Sequence, residues 1–353
     1  MEHFIGCNAH KKFSVFVAVN EKGQAGEPLR VAHDRQLYRE FLERLPGHSA
    51  IAVEASGSYS WLVDEMERSG HHPRLCNPLE AKRRMGLTNK TDKLDAKGLA
   101  ILLRNGTLPE VWIPPGELRD QCELLRLRIF LVRLRTRVKN RIHGTLGRYN
   151  IQVPGADLFG VQARLELGAR LPELPVHSRE AIEQELATLD FLETQIESAE
   201  QRLESIMKVS VEADLLKTLP CVGKILSMVL MLEIGRVDRF PTASHLASYA
   251  GLVPRVRSSG GRTRMGQVCG NVNRNLKWAF VETGSLVVLN QRGLAGTHVV
   301  RLYQRIKRAK NHQKAVVAVA RHLAEAAWWV LSKQEVYREP RGPRQQALSS
   351  THG

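Results

Sequence analysis

Asp92 and Asp95 stand three residues apart in the run Thr91-Asp92-Lys93-Leu94-Asp95-Ala96-Lys97. Thr91 is a good N-cap, and Leu94, Leu99, Leu102 and Leu103 recur at helical spacing. The stretch therefore reads as a helix start with both carboxylates on one face. Two like charges so close need a positive partner. Lys93, Lys97 and the helix N-terminal dipole are one answer. A hard divalent cation such as Mg²⁺, held by oxygen donors, is the other. The metal reading asks for further donors. Glu54 closes the apolar run Ala50-Ile51-Ala52-Val53, and Asn8 follows Phe4-Ile5-Gly6-Cys7, at the place where a further acid would belong. A second chemistry lies far downstream, where Ser258-Ser259-Gly260-Gly261 is set among Arg255, Arg257, Arg262 and Arg264. Glycine lets a phosphate approach, arginine holds its oxygens bidentately, and a serine hydroxyl there is placed to attack phosphorus. The same run also reads as a flexible surface loop.

The elements that must hold these residues begin with a β-hairpin. Its strands are Phe4–Cys7 and Phe13–Val19, and His10-Lys11-Lys12 form the turn. A helix over 34–45, a strand over 50–54, a helix from about Trp61 and a short strand at Arg74–Cys76, closed by Asn77-Pro78, follow. Strands alternating with helices predict an α/β sheet with covered faces. Active residues in such sheets gather where strands end. A strand-end donor at Asn8, an acid at Glu54 and two acids on a later helix form the layout of a ribonuclease-H-like metal site. His10 reads as a turn residue rather than a ligand.

The 353 residues carry a formal net charge of +16, with 43% hydrophobic residues. The size allows two or three domains, and the charge calls for a polyanionic partner, nucleic acid first. No apolar run is long enough to span a bilayer, no signal peptide stands out, and a membrane partner is not expected. The five scattered cysteines form no C-x-x-C pair, so neither a zinc site nor a disulfide framework is indicated, and a reducing cytoplasm is the expected location.

Residues 117–149 read as one long helix with two apolar stripes, one through Leu118, Cys122, Leu125, Ile129 and Val132 and one through Leu124, Leu127, Leu131, Leu134 and Val138. Residues 178–207 form a partner, with Leu189, Leu192, Ile196, Leu203 and Ile206 as its seam. The first helix is basic and the second acidic, which predicts antiparallel pairing within one chain or across a dimer. Residues 150–177, with three prolines, read as an irregular connection or small subdomain. Around Leu219-Pro220-Cys221-Val222-Gly223-Lys224 the pattern resembles a helix-hairpin-helix, in which backbone N–H groups hold a DNA phosphate. Cys221 replaces its usual first glycine. Arg305, Lys307 and Arg308 add a basic stretch before a final apolar helix over 313–332. Trp328 and Trp329 on that helix read as core or interface rather than as base-stacking platforms. The tail after Pro340 has a disordered composition.

Together these motifs carry a resemblance. Gly6-Cys7-Asn8-Ala9-His10-Lys11-Lys12, Val53-Glu54-Ala55-Ser56-Gly57-Ser58-Tyr59 and Lys90-Thr91-Asp92-Lys93-Leu94-Asp95-Ala96 resemble the RuvC-like domain of the Piv/MooV-type DEDD transposases and invertases. This is insertion-sequence family one hundred and ten with its eleven-eleven subgroup. Leu219–Lys224 and the run Ala247 to Gly261 are similar to the same family's second, transposase domain. The resemblance covers roughly residues 3–335. It implies an α/β RuvC-like (ribonuclease-H-like) domain over 1–112, a coiled-coil region over 113–210, a mainly helical C-terminal transposase domain over 211–335 and a tail over 336–353. It places the acidic tetrad on Asn8, Glu54, Asp92 and Asp95, with Mg²⁺ as cofactor, and the nucleophile on Ser259. It implies an RNA-guided DNA recombinase of bacterial origin, cytoplasmic and nucleoid-associated. Its partners are a noncoding bridge or seek RNA, donor and target DNA, and further copies of itself through the coiled coil. The nucleic-acid contacts are expected from Arg255, Arg257, Arg262, Arg264, Gly223, Lys224, Arg305, Lys307 and Arg308. A guide-independent invertase or junction resolvase is the alternative, as is a cleavage-deficient nucleic-acid-binding form. Asn8 stands where the family has Asp, so the site has one charge fewer and a weaker hold on Mg²⁺. The run Gly266 to Lys277 matches the family's usual Lys-x-Gly-Asn only loosely.

Overall fold

The computed structural model describes residues 4–57, 59–86, 91–153, 157–208, 210–259, 262–268 and 272–340; along 255–259 and 262–268 it describes the backbone only. The chain divides into two compact units, Met1–Gly116 and Glu117–Gly353.

The first unit contains β1 (Phe4–Ala9), β2 (Phe13–Val19), β3 (Leu29–Ala32), α1 (Arg35–Glu43), β4 (Ala50–Glu54), α2 (Tyr59–Arg68), β5 (His72–Cys76), α3 (Pro78–Met85) and α4 (Asp92–Arg104). The strands form one mixed sheet ordered β3-β2-β1-β4-β5. β1, at its centre, is antiparallel to β2 and parallel to β4, with Cys7 opposite both Phe16 and Val53. Side chains alternate between the two faces. Ile5, Cys7, Ile51 and Val53 pack on one face with Tyr38 and Leu42 of α1 and Leu62 and Met66 of α2. On the other face, Val15, Val17 and Val19 meet Ala96 and Ala100 of α4, and Ala52 meets Leu99.

The predicted hairpin, the 50–54 strand and the helices near 34–45, 61 and 91 all form. β3 is not predicted, because only Val31 of its four residues is buried and the strand shows no apolar run. α3 is likewise unpredicted. Asn77-Pro78 follow the end of β5 as expected, but Pro78 also occupies a first helical position that needs no N–H, and Asn77 Oδ1 caps the helix from Leu79 N and Glu80 N at 3.0 and 3.1 Å.

The second unit opens on α5 (Gly116–Arg148), α6 (Val161–Arg170) and α7 (Val176–Met207). α6 occupies much of the stretch expected to be irregular. α5 and α7 pair antiparallel within one chain. Arg128 meets Glu200 at 2.7 Å, Arg135 meets Glu193 at 2.9 Å, and Arg141 meets Glu185. Pairs of this kind contribute about 0–1 kcal/mol each, so the apolar seam of Cys122, Leu125, Ile129, Leu192, Ile196 and Leu203 holds the pair and the charges set its direction. The second stripe of α5 is less covered, and Leu127 is exposed.

Next come α8 (Val211–Lys217), α9 (Lys224–Ile234), α10 (Ala243–Tyr249), β6 (Pro254–Ser259), β7 (Arg262–Val268), α11 (Arg274–Leu289), α12 (His298–Ala309) and α13 (His312–Lys333). α9, α11 and α13 carry the largest share of one apolar core that also takes in the start of α5 and the end of α7. The Ser-Ser-Gly-Gly run is not a free loop. Ser258 and Ser259 lie in β6 and pair antiparallel with Thr263 and Arg262 of β7, which leaves Gly260-Gly261, outside the described residues, to join the strands.

Gly6 is the point of closest approach in the first unit. A Cβ there would lie 1.9 Å from the Ala96 carbonyl oxygen and 2.7 Å from Ala100 N, so β1 and the backbone of α4 touch directly. Gly6→Ala should therefore destabilise this unit by about 1–3 kcal/mol or more, because neither backbone can yield without moving a whole element. Denaturant unfolding checks this; an unchanged midpoint would show that α4 is free to shift.

Candidate active site

The contact at Gly6 fixes what stands at the strand ends. Residues two apart on β1 share a face, so Asn8 points to the α4 side as Gly6 does. Glu54, one step beyond the Cys7–Val53 pair, faces the same way as Asn8 by register. Thr91 Oγ1 accepts from Leu94 N at 3.2 Å and caps α4, whose first turn carries Asp92 and Asp95. That turn lies over the C-terminal end of β1, since Asn8 Nδ2 donates to Asp92 Oδ1 at 3.4 Å. Asn8 is 7% exposed, whereas the Asp92 side chain is 45% exposed, so the site has a buried floor and an open rim. The Glu54 charge is felt at the buried thiols on either side. Cys7 and Cys76 are each pushed up to about 12, chiefly by burial, with the Glu54 carboxylate adding to it. Asp92 and Asp95 stand in the first turn of α4, where the helix dipole favours acidic side chains.

His10 is the residue that sequence reasoning set aside. Its Nε2 lies 3.0 Å from Asp92 Oδ1 but makes no hydrogen bond of good angle. The ring lies tilted against Phe13 at 4.6 Å between centroids. Its position in the β1–β2 turn, two residues past Asn8, was the available signal.

The donors here are carboxylate oxygens and one amide oxygen, the set a hard divalent cation takes. Among the described residues no three His, Cys, Asp or Glu side chains converge in metal-holding geometry. Asn8 turns its amide nitrogen, not its oxygen, toward Asp92. The donor chemistry therefore fits Mg²⁺, while in this structure Asp92 is met by the Asn8 amide and the His10 ring.

In the second unit Ser259 ends β6, opposite Arg262. The side chains of Ser259, Arg255, Arg257, Arg262 and Arg264 lie outside the described residues. The base of this hairpin is well defined. Gly251, at φ +66°, precedes it, and a Cβ there would meet Val272 Cγ2 at 2.6 Å. Asn273 N donates to Tyr249 O at 3.2 Å across the same base. Below it lies Glu233 of α9, only 4% exposed. Its oxygens accept from Asn273 Nδ2 at 2.7 Å and Asn275 Nδ2 at 2.8 Å, and Arg126 Nε lies 3.6 Å away. Asn273 Oδ1 meanwhile caps α11 from Leu276 N at 3.0 Å. No motif marks Glu233, since it is one acid in an apolar helix, and an acid in such a place is itself the signal.

The other expected nucleic-acid contacts divide. Gly223 caps α9 with open space where a Cβ would stand, and Cys221 adopts φ +60°, the left-handed backbone that the missing glycine would favour. Lys224 is not free, because its amine pairs with Glu204 of α7. Arg305, Lys307 and Arg308 are exposed on α12.

A mixed sheet followed by a mostly helical part is compatible with a DEDD transposase, and the comparisons with known proteins supply the family. Residues 5–151 match the DEDD transposase family of IS110 elements, and residues 213–298 match the family described as "Transposase IS116/IS110/IS902 family". The chain is 26% identical over 312 residues to a "Probable family 20 transposase" of Pseudomonas aeruginosa, covering 86% of this chain and 90% of that one. It is 24% identical to the transposase for insertion sequence element IS1111A of Coxiella burnetii, covering 82% and 79%. It is also 24% identical to the pilin gene-inverting protein of Moraxella lacunata, covering 81% of each. The chain belongs to the IS110/IS116/IS902 family of insertion-sequence transposases. Among the described residues no helix is long and apolar enough to cross a membrane.

Removing Glu233 tests the clamp under the hairpin. Glu233→Ala leaves two amides and Arg126 without their buried partner and should cost about 3–5 kcal/mol. Glu233→Gln, which keeps the shape and one amide bond, should cost less than half of that. Equal midpoints for all three proteins in denaturant would show that these bonds carry no weight.

Proposed function

We propose that this transposase is an RNA-guided DNA recombinase that cuts and rejoins donor and target DNA through a phosphoserine link at Ser259. The observation that supports the reading is that Asn8 and Glu54 lie at the ends of β1 and β4 on one face, with Asn8 meeting Asp92 in the helix turn that also carries Asp95. These four residues would hold Mg²⁺, which supplies charge neutralisation and activation at a phosphodiester when bound. Ser259 acts as the nucleophile. Its hydroxyl oxygen bonds to phosphorus as the bond to one sugar oxygen breaks. That oxygen leaves as a hydroxyl and takes up a proton in place of the one serine gives up. Attack by another strand's hydroxyl reverses the step and rejoins the DNA. The neighbouring arginines neutralise the phosphate as charge builds.

The net charge of +16 supports a large polyanionic partner, and the resemblance to guide-dependent recombinases supports a structured RNA from the element's own end. Exposed apolar side chains on the long helices, Leu127, Phe130 and Phe191, support association of copies through the coiled coil. The test of the reaction is recombination of supercoiled donor and target with Mg²⁺, with and without the end-derived RNA. Dependence on the RNA supports the reading, and equal recombination without it favours a guide-independent invertase.

Asn8 gives a sharper test of the acidic site. Asn8→Asp replaces a donor to Asp92 by a fourth carboxylate, so the cluster gains repulsion that only a cation relieves. Mg²⁺ should raise the thermal midpoint of this variant more than that of the parent, and DNA cleavage should rise over an Mg²⁺ titration. RNA binding should barely change. If Mg²⁺ affects both proteins alike, position 8 is not a ligand.

A further inference from the structure

Trp328 and Trp329 are adjacent on α13 but live in different surroundings. Trp328 Nε1 donates to Phe240 O at 2.8 Å and belongs to the core margin. Trp329 is 52% exposed. It stands at the lip of a cavity of about 370 Å³ lined also by His322, Glu325, Lys333 and Arg338. This falls within the range of ligand sites, about 300–1,000 Å³. One side is closed by the chain after α13, where Tyr337 N donates to Thr218 Oγ1 at 2.8 Å and Tyr337 Oη donates to Glu339 at 2.8 Å.

The wall holds a group with an unmet need. His322 Nε2 is buried and has no hydrogen-bond partner, and a buried polar atom left so is costly. Burial, with His298 beside it at 4.6 Å between ring centroids, keeps the imidazole below its ordinary range, so the neutral ring can donate or accept. The rim charges differ in their freedom. Glu325 is paired with Arg321 at 2.9 Å, and Arg338 lies 3.5 Å from Glu335. Lys333 makes no ion pair among the described residues, and its amine stands over the Trp329 ring at 5.0 Å.

An exposed indole beside an ammonium with no ion pair among the described residues, at the lip of a cavity of ligand size, matches the π-face and the phosphate of an unstacked nucleotide. A paired base within a duplex hides its face and could not use the indole. We propose that this cavity takes one unstacked nucleobase of a single-stranded nucleic acid. Trp329 stacks on it and Lys333 meets the adjoining phosphate, while His322 forms part of the cavity wall.

The test uses the full-length protein and four labelled probes of one length, namely single-stranded RNA, single-stranded DNA of the same sequence, an abasic strand and duplex DNA. Base–aromatic stacking is worth about 1–3 kcal/mol, or roughly 5–150-fold in affinity. Trp329→Leu should weaken binding of the based single strands by about tenfold and leave the abasic strand and the duplex unchanged. Trp329→Phe should keep most of the affinity. A larger loss on RNA than on DNA names the sugar that the site prefers, and either supports the assignment. Independently of any variant's folding, based strands should quench the wild-type tryptophan emission and the abasic strand should not. No loss in Trp329→Leu, an equal loss on abasic and duplex probes, or quenching by the abasic strand would overturn the proposal.

Discussion

The packing of α4 directly on Gly6 is the constraint on which the N-terminal site depends. No side chain separates β1 from the helix backbone at that point, so the helix cannot slide or rotate without a clash. Its first turn, capped by Thr91, is thereby held over the end of β1 and places Asp92 within reach of Asn8 and His10. Parallel pairing of β1 with β4 adds Glu54 from the neighbouring strand end. A glycine, a cap and one strand register together set the position of every donor in the cluster.

The second unit solves a similar problem in another way. Its serine lies at the end of a two-stranded hairpin, which has no sheet to support it, and isolated hairpins are marginal in water. The base is therefore tied on both sides. Gly251 presses against Val272, Asn273 binds back to Tyr249, and Glu233 anchors Asn273 and Asn275 from the core. A buried carboxylate with three partners is a rigid anchor but a costly one to break.

Much of this was legible in the sequence where period and punctuation agreed. The β1–β2 hairpin, β4 ending on Glu54, the Thr91 cap and the two long helices follow from apolar spacing and charge. Elements whose signal is not apolar were missed. β3 buries one residue of four, and α3 begins at a proline that reads equally as a stop. At the proposed site, strand ends point to Glu54 and Asn8 and the Thr91-capped helix start points to Asp92 and Asp95, whereas a turn histidine such as His10 has no local signature for what it faces. Gly6 carried a readable signal, since a lone glycine inside a strand marks a close backbone approach. The pairing of Lys224 with Glu204 was not readable, because it joins residues from helices whose mutual placement the local pattern does not specify.

Asn8 and Ser259 are the two residues on which the proposed chemistry turns, one a neutral donor among acids and the other the oxygen that would carry the DNA. The most direct measurement is peptide mapping by mass spectrometry of the covalent protein–DNA adduct formed on donor DNA in Mg²⁺, for the parent protein and for Asp92→Asn. The account predicts a single nucleotide-bearing peptide, linked through Ser259, and its loss in Asp92→Asn with the fold intact. A linkage at any other residue, or an undiminished adduct in Asp92→Asn, would contradict it.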